Sequence, residues 1–200
     1  MTEQVYPTRE PDTGFRALVT ERLTIRRFEA ADAVAFAAYR SVPDIARYQS
    51  WDTPFTPARA ARFIAALATE HPDTTDQWFQ FAVTASSTGR LLGDVAAGTG
   101  RDHRLARIGF TLAPDAQGHG FATEAVTALV DYLVHTRGKH RVAADCDART
   151  TRSVALLERV GVRREAHHRR SVWWKGEWPD EFVYAVLADE WRAHRPPGGR

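Results

Sequence analysis

The sequence predicts a mixed α/β domain, and two observations support that fold class. Candidate strands and helices follow in the order strand, two helices, three strands, helix, strand, helix and two strands, which is typical of a mixed sheet with flanking helices. The chain has 200 residues, of which 44% are hydrophobic and 26% charged, a composition suited to one globular domain. We therefore predict a mixed sheet of about seven strands in one domain.

Composition along the chain predicts the domain boundaries. Residues 1–17 are polar and carry no hydrophobic period, so we expect an N-terminal arm there, attached loosely or disordered. The domain is predicted to span residues 18–191, beginning with a strand in which Leu23 and Ile25 share one face. Residues 192–200 are expected to form a flexible tail.

Local signals predict the other elements in order. A helix is expected over residues 30–40, and a second begins at Thr56-Pro57, a capping hydroxyl followed by proline, and runs to about Thr69. Residues 77–85 and 90–99 form a predicted hairpin, and residues 106–114 a further strand. The remaining predictions are a helix that begins after Gly120 and ends at Gly138, a strand at 141–146, a helix at 150–161, and two strands at 165–176 and 180–187.

Charge and cysteine content exclude several classes of protein. The net charge is only +2 and acids alternate with bases, so no nucleic-acid partner is expected. No apolar run approaches the roughly 20 residues of a membrane span, so no membrane partner is expected either. Cys146 is the only cysteine, which predicts neither a disulfide nor a metal. The first residues lack the pattern of a secretory signal, so we expect a cytoplasmic protein.

The most informative stretch is residues 113–126, where a predicted strand is followed by two closely spaced glycines and then a strongly amphipathic helix. Gly118 and Gly120 allow backbone N–H groups to turn inward, and the first helical turn leaves further N–H groups unpaired. This pattern predicts an anion site suited to a pyrophosphate, although a plain glycine turn is the alternative. It is not a P-loop, and Thr123 replaces the third glycine of a dinucleotide fingerprint.

Taken with its context, this stretch resembles a known family. Residues 117–122, Gln-Gly-His-Gly-Phe-Ala, resemble the Q/R-x-x-G-x-G/A signature of the GNAT acetyltransferases. TERLTIRRF, IGFTLAPDAQGHGFATEAVTALVDY, SVALLERVGV and WWKGEWPDEFVYAVLADEW together resemble the bacterial RimJ/RimL-like branch of that family, over residues 18–191. The resemblance implies a transferase that uses acetyl-CoA and has a twisted mixed sheet. Its two central parallel strands, which end near Leu112 and Cys146, would splay apart around the cofactor.

The resemblance also implies which residues bind the cofactor. Backbone groups of the loop would hold the pyrophosphate, and one strand edge would pair with the pantetheine arm as an added strand would. Ser153 matches the serine of the family's N-x-x-S pattern, but Thr150 replaces its asparagine, which leaves a cofactor contact at position 150 open. The residues concerned are Gln117, Gly118, His119, Gly120, Phe121, Ala122 and Thr123 in the loop, and Phe110, Thr111 and Leu112 on the strand.

Direct acetyl transfer to a primary amine requires a neutral amine and a proton for the departing thiolate. Ser153 is the predicted proton donor. Asp94, in the middle of a strand, is the predicted base, and His103, Asp145 and Asp147 are alternatives. Arg107 stands where relatives often carry an acid, so that acid is absent from this chain.

Two alternatives to this mechanism follow from the residues. A covalent acyl-enzyme on Cys146 is disfavoured because Asp145 and Asp147 flank the thiol and raise its pKa. Because Thr150 and Arg107 differ from the family pattern, a second alternative is a module that binds acyl-CoA without catalysing a reaction.

Aromatic residues mark the predicted acceptor site. Tyr48, Trp51 and Phe55 lie in an irregular loop between two predicted helices, and Trp173 lies near the C-terminal turn. They suit an acceptor such as a protein N-terminus or a small-molecule amine, for example an antibiotic. The alternatives are a hydrophobic latch between the helices for the loop, and a homodimer interface for the tryptophans.

Overall fold

An eight-stranded sheet forms the centre of the computed structural model, which describes residues 15–194. Its strands are β1 (Leu18–Val19), β2 (Leu23–Arg26), β3 (Trp78–Ala85), β4 (Leu91–Thr99), β5 (Leu105–Leu112), β6 (Arg141–Asp147), β7 (Arg163–His168) and β8 (Glu181–Leu187). The spatial order is β1-β2-β3-β4-β5-β6-β8-β7. Only β5 and β6 are parallel neighbours, and every other pair is antiparallel. The predicted mixed α/β fold is confirmed.

Six α-helices accompany the sheet in the described part of the chain. They are α1 (Ala33–Arg40), α2 (Pro43–Ala46), α3 (Pro57–Thr69), α4 (Phe121–Asp131), α5 (Thr151–Val160) and α6 (Ala188–His194). A π-helical turn extends α4 through residues 132–136. Within residues 15–194, no helix has both the length and the apolar character that crossing a membrane requires.

The predicted helix boundaries are confirmed where a capping residue or a glycine turn lies within a few residues of the helix end. The Thr56 side chain accepts a hydrogen bond from the backbone N–H of Arg59, as an N-cap should, and Pro57 opens α3. Gly138 and Gly161 both have positive φ near the ends of their helices, at +67° and +90°. These helix boundaries follow from the sequence because the interactions that set them are local.

Four details differ from the sequence-based expectation. The first strand is divided into β1 and β2, because the chain at residues 20–22 bends to place Thr20 and the backbone N–H of Arg22 on the carboxylate of Glu124. The sheet therefore has eight strands instead of about seven. The short helix α2 was not predicted, β7 ends at His168, and α6 extends into the predicted tail.

The chain ends are partly described. Phe15, within the predicted N-terminal arm, packs on the rings of Phe81 and Tyr132 with centroids 4.6 and 5.4 Å away. Trp191 is buried and donates its indole N–H to Asp131, which holds α6 against the end of α4. The rest of the predicted arm, residues 1–14, and of the predicted tail, residues 195–200, lies outside the described residues.

The strand register assigns side chains to two faces of the sheet. Gln80 and Asp94 contact the helix α1 through Arg40, so we call their side the α1 face. Phe81 points to the other side, where Phe15 joins it to Tyr132 at the end of α4. We call this the α4 face. Each side of the sheet's centre is therefore packed against helices.

Strands β5 and β6 separate along their length. Their parallel pairing covers only Leu105–Arg107 against Arg141–Ala143. Beyond these residues β5 continues to Leu112 beside β4, and β6 continues to Asp147 beside β8. In the described chain the β6-facing edge of residues 108–112 thus has no ladder partner, which is the splay that the resemblance implied.

Candidate active site

The loop that connects β5 to α4 lies at the splayed end of the sheet. Gly118 and Gly120 have φ angles of +81° and +80°, in the left-handed region that glycine adopts without strain. Gly120 is the N-cap of α4, and no side chain caps the first turn there. The helix therefore begins with backbone N–H groups available to a ligand, as an anion site requires.

Arg22 joins the start of the chain to this loop. Its guanidinium donates to the carbonyl of His119 at 2.9 Å, pairs with Glu124 at 2.7 Å, and lies 4.7 Å from the centroid of the Phe121 ring. Burial opposes ionisation of Glu124, but hydrogen bonds from Thr20 and Arg22 hold the pKa of Glu124 below its ordinary value. A carboxylate in the first turn of α4 is thus neutralised, so it does not oppose an anion at the loop.

The first turns of α4 and α5 meet at this edge because β5 and β6 are parallel. Arg152 of α5 donates to the side-chain oxygen of Gln117 at 2.6 Å, and the side-chain nitrogen of Gln117 donates to the carbonyl of Leu112 at 3.0 Å. Arg159, two turns further on, reaches Thr123 at 3.4 Å. Gln117 thereby ties the loop both to the splayed strand and to α5.

Gly93 permits the close approach of β4 to the end of β5. A Cβ at this position would lie 2.2 Å from the carbonyl oxygen of Thr111 and 2.7 Å from the Cα of Leu112. The pairing of β3 with β4 is also irregular here, with a register shift between Val83 and Thr84. The backbone of Thr111 and Leu112, at the mouth of the splay, therefore takes a position that only glycine opposite it allows.

Thr150, Ser153 and Cys146 border the splay on its β6 side. Thr150 is the N-cap of α5, but its hydroxyl donates to the carbonyl of Asp147 and does not cap the helix. Ser153 lies half-buried in the first turn of α5. Burial is the main reason why the pKa of the Cys146 thiol is raised to about 11; a hydrogen bond with Thr150 opposes the rise, and the nearby carboxylates of Asp145 and Asp147 add to it. The thiol is therefore protonated at neutral pH, which makes it a poor nucleophile.

Asp94 lies in the core on the α1 face, with 2% of its surface exposed. The Tyr39 hydroxyl donates to one carboxylate oxygen at 2.5 Å, and Arg40 lies 3.4 Å from the other. Burial raises the pKa of Asp94, while Arg40 and Tyr39 act in the opposite direction. In β5 the residue opposite Asp94 is Thr111, so this carboxylate is one strand away from the splayed edge.

The alternative bases have different surroundings. Asp145 is exposed on β6 and pairs with Arg107, just past the point where β5 and β6 separate. Asp147 accepts from the backbone and side chain of Arg149, which hold the pKa of Asp147 down against the effect of burial. His103 lies before β5, at the opposite end of that strand from Leu112. His103 is therefore remote from the splay.

The aromatic loop between α2 and α3 packs around Arg40. Trp51 and Phe55 are only 6% and 3% exposed. The Arg40 guanidinium lies 3.8 Å from the Trp51 ring centroid, and the Trp51 indole N–H donates to the Arg40 carbonyl at 2.9 Å. Trp51 and Phe55 thus have the packing expected of the latch between helices. Tyr48 is half-buried and more accessible, beside Arg149.

The segment between β7 and β8 closes over this loop. The Lys175 ammonium donates to the carbonyls of Ala46 and Trp51, at 2.8 and 2.5 Å. Trp173 and Trp178 are 59% and 53% exposed, with ring centroids 5.4 Å apart. Tyr48 and Trp173 are therefore the accessible members of the predicted acceptor set.

A metal centre has no evident ligands in residues 15–194, where no group of three or more His, Cys, Asp or Glu side chains is arranged to hold an ion.

A glycine turn and an uncapped helix start thus lie together at the open end of a splayed sheet. The family model for the acetyltransferase (GNAT) domain matches residues 22–163, and the chain belongs to this family. It is 28% identical over 174 residues to "Uncharacterized N-acetyltransferase YnaD" of Bacillus subtilis, an alignment that covers 87% of this chain and 98% of that protein. The chain is therefore an enzyme of the GNAT N-acetyltransferase type.

Solved structures agree with this assignment. A GNAT-family acetyltransferase from Bacillus anthracis has a TM-score of 0.76 and 28% identity, and the match covers 88% of this chain and all of that one (100%). RimL, a ribosomal L7/L12 alpha-N-protein acetyltransferase solved in complex with coenzyme A, has a TM-score of 0.76 at 15% identity, with 88% and 99% coverage. The second likeness concerns the fold alone.

Several residues of the site were not predicted from the sequence. Arg22 and Arg152 bind the loop, Tyr39 and Arg40 bind Asp94, and Lys175 joins the α2–α3 loop to the β7–β8 segment. The position of Arg152 near the loop could have been predicted, because helices that follow parallel strands begin at the same edge of a sheet. The others come from distant parts of the chain and carry no local pattern.

Proposed function

We propose that this enzyme transfers an acetyl group from acetyl-CoA directly to a primary amine. The observation that carries the proposal is the coincidence of two features at one end of the sheet. The uncapped start of α4, with Gly118 and Gly120 before it, offers N–H groups to a pyrophosphate. The edge of residues 108–112 offers unpaired backbone groups to an extended amide-bearing arm.

The residues present fit coenzyme A. In the proposed complex the backbone of residues 117–123 holds the pyrophosphate, with His119 and Phe121 positioned by Arg22. Residues 110–112 pair with the pantetheine arm, and Ser153 and Thr150 border it from α5. The Leu112 carbonyl already accepts from Gln117, and the backbone of Thr111 faces Asp94 on β4, so we assign the pairing at this edge chiefly to Phe110.

Acetyl-CoA would supply the activated thioester. During transfer the amine nitrogen bonds to the acetyl carbon, the carbon–sulfur bond breaks, the amine loses a proton and the thiolate gains one. Backbone N–H groups at the mouth of the splay are suited to polarising the carbonyl. We propose Ser153 as the group that returns a proton to the departing thiolate.

The base that receives the amine's proton is proposed to be Asp94. Burial raises its pKa, which makes it a better proton acceptor than an exposed carboxylate. It lies on the α1 face one strand from the splayed edge, and we propose that the Tyr39 hydroxyl, which is hydrogen-bonded to it, relays the proton. The alternative is that Asp94 only anchors Arg40. The two roles predict different dependences of kcat/KM on pH.

We propose that the acceptor enters from the α1 face, between the α2–α3 loop and the β7–β8 segment. Tyr48 and Trp173 supply its accessible aromatic surface, while Trp51 and Phe55 shape that surface from beneath. Relatives named as protein N-terminal acetyltransferases are consistent with a peptide amine, and a small-molecule amine is equally compatible with the site. A cytoplasmic homodimer stays a prediction from the sequence.

Thermal unfolding with acetyl-CoA, CoA or ATP tests the cofactor assignment. A ligand at 100 times its Kd adds about 2.7 kcal/mol to the free energy of unfolding, which for a chain of this size raises Tm by roughly 5–11 °C. We expect that shift with both CoA species and none with ATP. Thiol release with a panel of amines then separates an enzyme from a module that only binds, and absence of any CoA shift would overturn the proposal.

A further inference from the structure

A groove of about 360 Å³ lies on the α1 face of the sheet, where β5 and β6 are still paired. It adjoins the proposed transfer site but belongs to neither the cofactor loop nor the aromatic loop. Its lining includes Gln77, Trp78, Gly98, Leu105, Arg107, Arg141 and Ala143.

Trp78 forms one wall of this groove, and two glycines make room for its ring. Gly98 lies opposite Arg107, and Gly109 lies opposite Ala96, in the β4–β5 register. The Trp78 ring covers Gly98, where an added Cβ would lie 3.2 Å from the ring, and reaches toward Gly109, where it would lie 3.8 Å away. Trp78 is nevertheless 45% exposed, so much of its ring faces solvent.

The charged groups around the groove already have partners. Arg107 pairs with Asp145, and Arg141 pairs with Glu165 at 2.5 Å. Asp76, at the rim, pairs with Arg101 at 2.7 Å. Among its described lining residues the groove therefore presents an aromatic wall and small residues between compensated ions. This chemistry fits a neutral aromatic group better than an ion.

The groove ends where the splay begins. Arg107 and Ala143, which line it, form the last pair before β5 and β6 separate. Phe110 follows Arg107 by three residues on β5, so at about 3.3 Å per residue the groove lies roughly 10 Å from the part of the splayed edge at which the pantetheine arm is proposed to pair. About three residues of extended peptide, or an alkyl chain of that length, span this distance.

We propose that the groove binds an aromatic ring of the acceptor, carried about 10 Å from the reacting amine. The inference rests on the proposed function and names its substrate class. The ring stacks on the exposed face of Trp78, while the amine reaches the splayed edge near Phe110. The same chemistry is supplied by a peptide with an aromatic third residue or by a small aryl-alkylamine, and the experiment distinguishes these two sources.

The test measures kcat/KM by thiol release for two matched pairs of acceptors. One pair is alanyl-alanyl-tryptophan amide and its all-alanine analogue, and the other is 6-phenylhexylamine and hexylamine. We expect the aromatic member of at least one pair to be favoured about tenfold, mainly through KM. The favoured pair identifies the source as a peptide or a small amine.

Three variants test whether Trp78 causes the preference for aromatic acceptors. Trp78→Ala should remove the preference and leave kcat/KM for the plain acceptor unchanged within about twofold, while Trp78→Phe should retain part of it. Val34→Ala, which truncates an exposed residue of α1, is the control and should behave as wild type. If wild type and Trp78→Ala turn over the acceptors with the same preference for the aromatic member, the proposed role of the groove is refuted and the proposed function is unaffected.

A binding measurement keeps the inference testable without turnover. Calorimetry with N-acetyl-6-phenylhexylamine, a product analogue, should detect binding to wild type that Trp78→Ala weakens about tenfold. If no amine releases thiol but this binding difference is present, the groove stands and the proposed reaction fails. If the analogue binds both proteins equally or neither, and no acceptor shows the preference, the groove is refuted.

Discussion

Gly93→Ala is the most direct test of how the splay is built. The added Cβ would lie 2.2 Å from the Thr111 carbonyl oxygen, whereas an ordinary contact is at least about 3.4 Å, so the backbone must move by about 1 Å. Overpacking of this kind costs about 1–3 kcal/mol, and the unfavourable φ of +156° adds to it. We expect a total loss of about 4 kcal/mol, which lowers Tm by roughly 8–16 °C.

The matched control is Gly89→Ala. Gly89 also has positive φ, at +69°, but an added Cβ there has no heavy atom within 4 Å, so only the backbone strain of about 1 kcal/mol remains. Differential scanning calorimetry of both variants separates collision from strain. The Gly93 variant should also bind CoA more weakly, because the displaced Thr111–Leu112 edge belongs to the proposed pantetheine site. Equal Tm values for the two variants would refute the argument.

Three further variants test other parts of the site. Gly120→Val should weaken CoA binding more than tenfold, because it puts a branched side chain at a left-handed position beside the proposed pyrophosphate site. Gly138→Val is the control: Gly138 has a comparable φ but lies outside the loop, so the affinity for CoA should be unchanged. If Asp94 is the base, wild-type kcat/KM falls as the pH drops through the raised pKa of its carboxylate. The Asp94→Asn variant should not show this fall at low pH. The same fall in both proteins would mean that Asp94 only anchors Arg40. Lys175→Met should raise the acceptor KM several-fold with CoA affinity unchanged, since it releases the β7–β8 segment from two carbonyls, and an unaltered KM would exclude that segment from acceptor binding.

The resemblance between this chain and the GNAT family was visible in local motifs, and the fold confirmed it. The glycine loop and its helix are local, so the positive φ angles at Gly118 and Gly120 follow from residues next to one another. The same holds for Thr56-Pro57 at the start of α3. In contrast, the break between β1 and β2 depends on Glu124, about a hundred residues away, and no local pattern predicts it.

The sequence by itself determined the order of the main helices and strands, the glycine loop before α4 and the family, because caps, glycines and hydrophobic periods act within one or two turns. Only the tertiary structure decided the partners of the site residues. Asp94 meets Tyr39 and Arg40 from more than fifty residues away, and Lys175 reaches Ala46 across 129 residues. The Trp78 groove likewise exists because three strands bring a ring and two glycines together. Such contacts depend on how helices and strands pack, and sequence spacing carries no record of that packing.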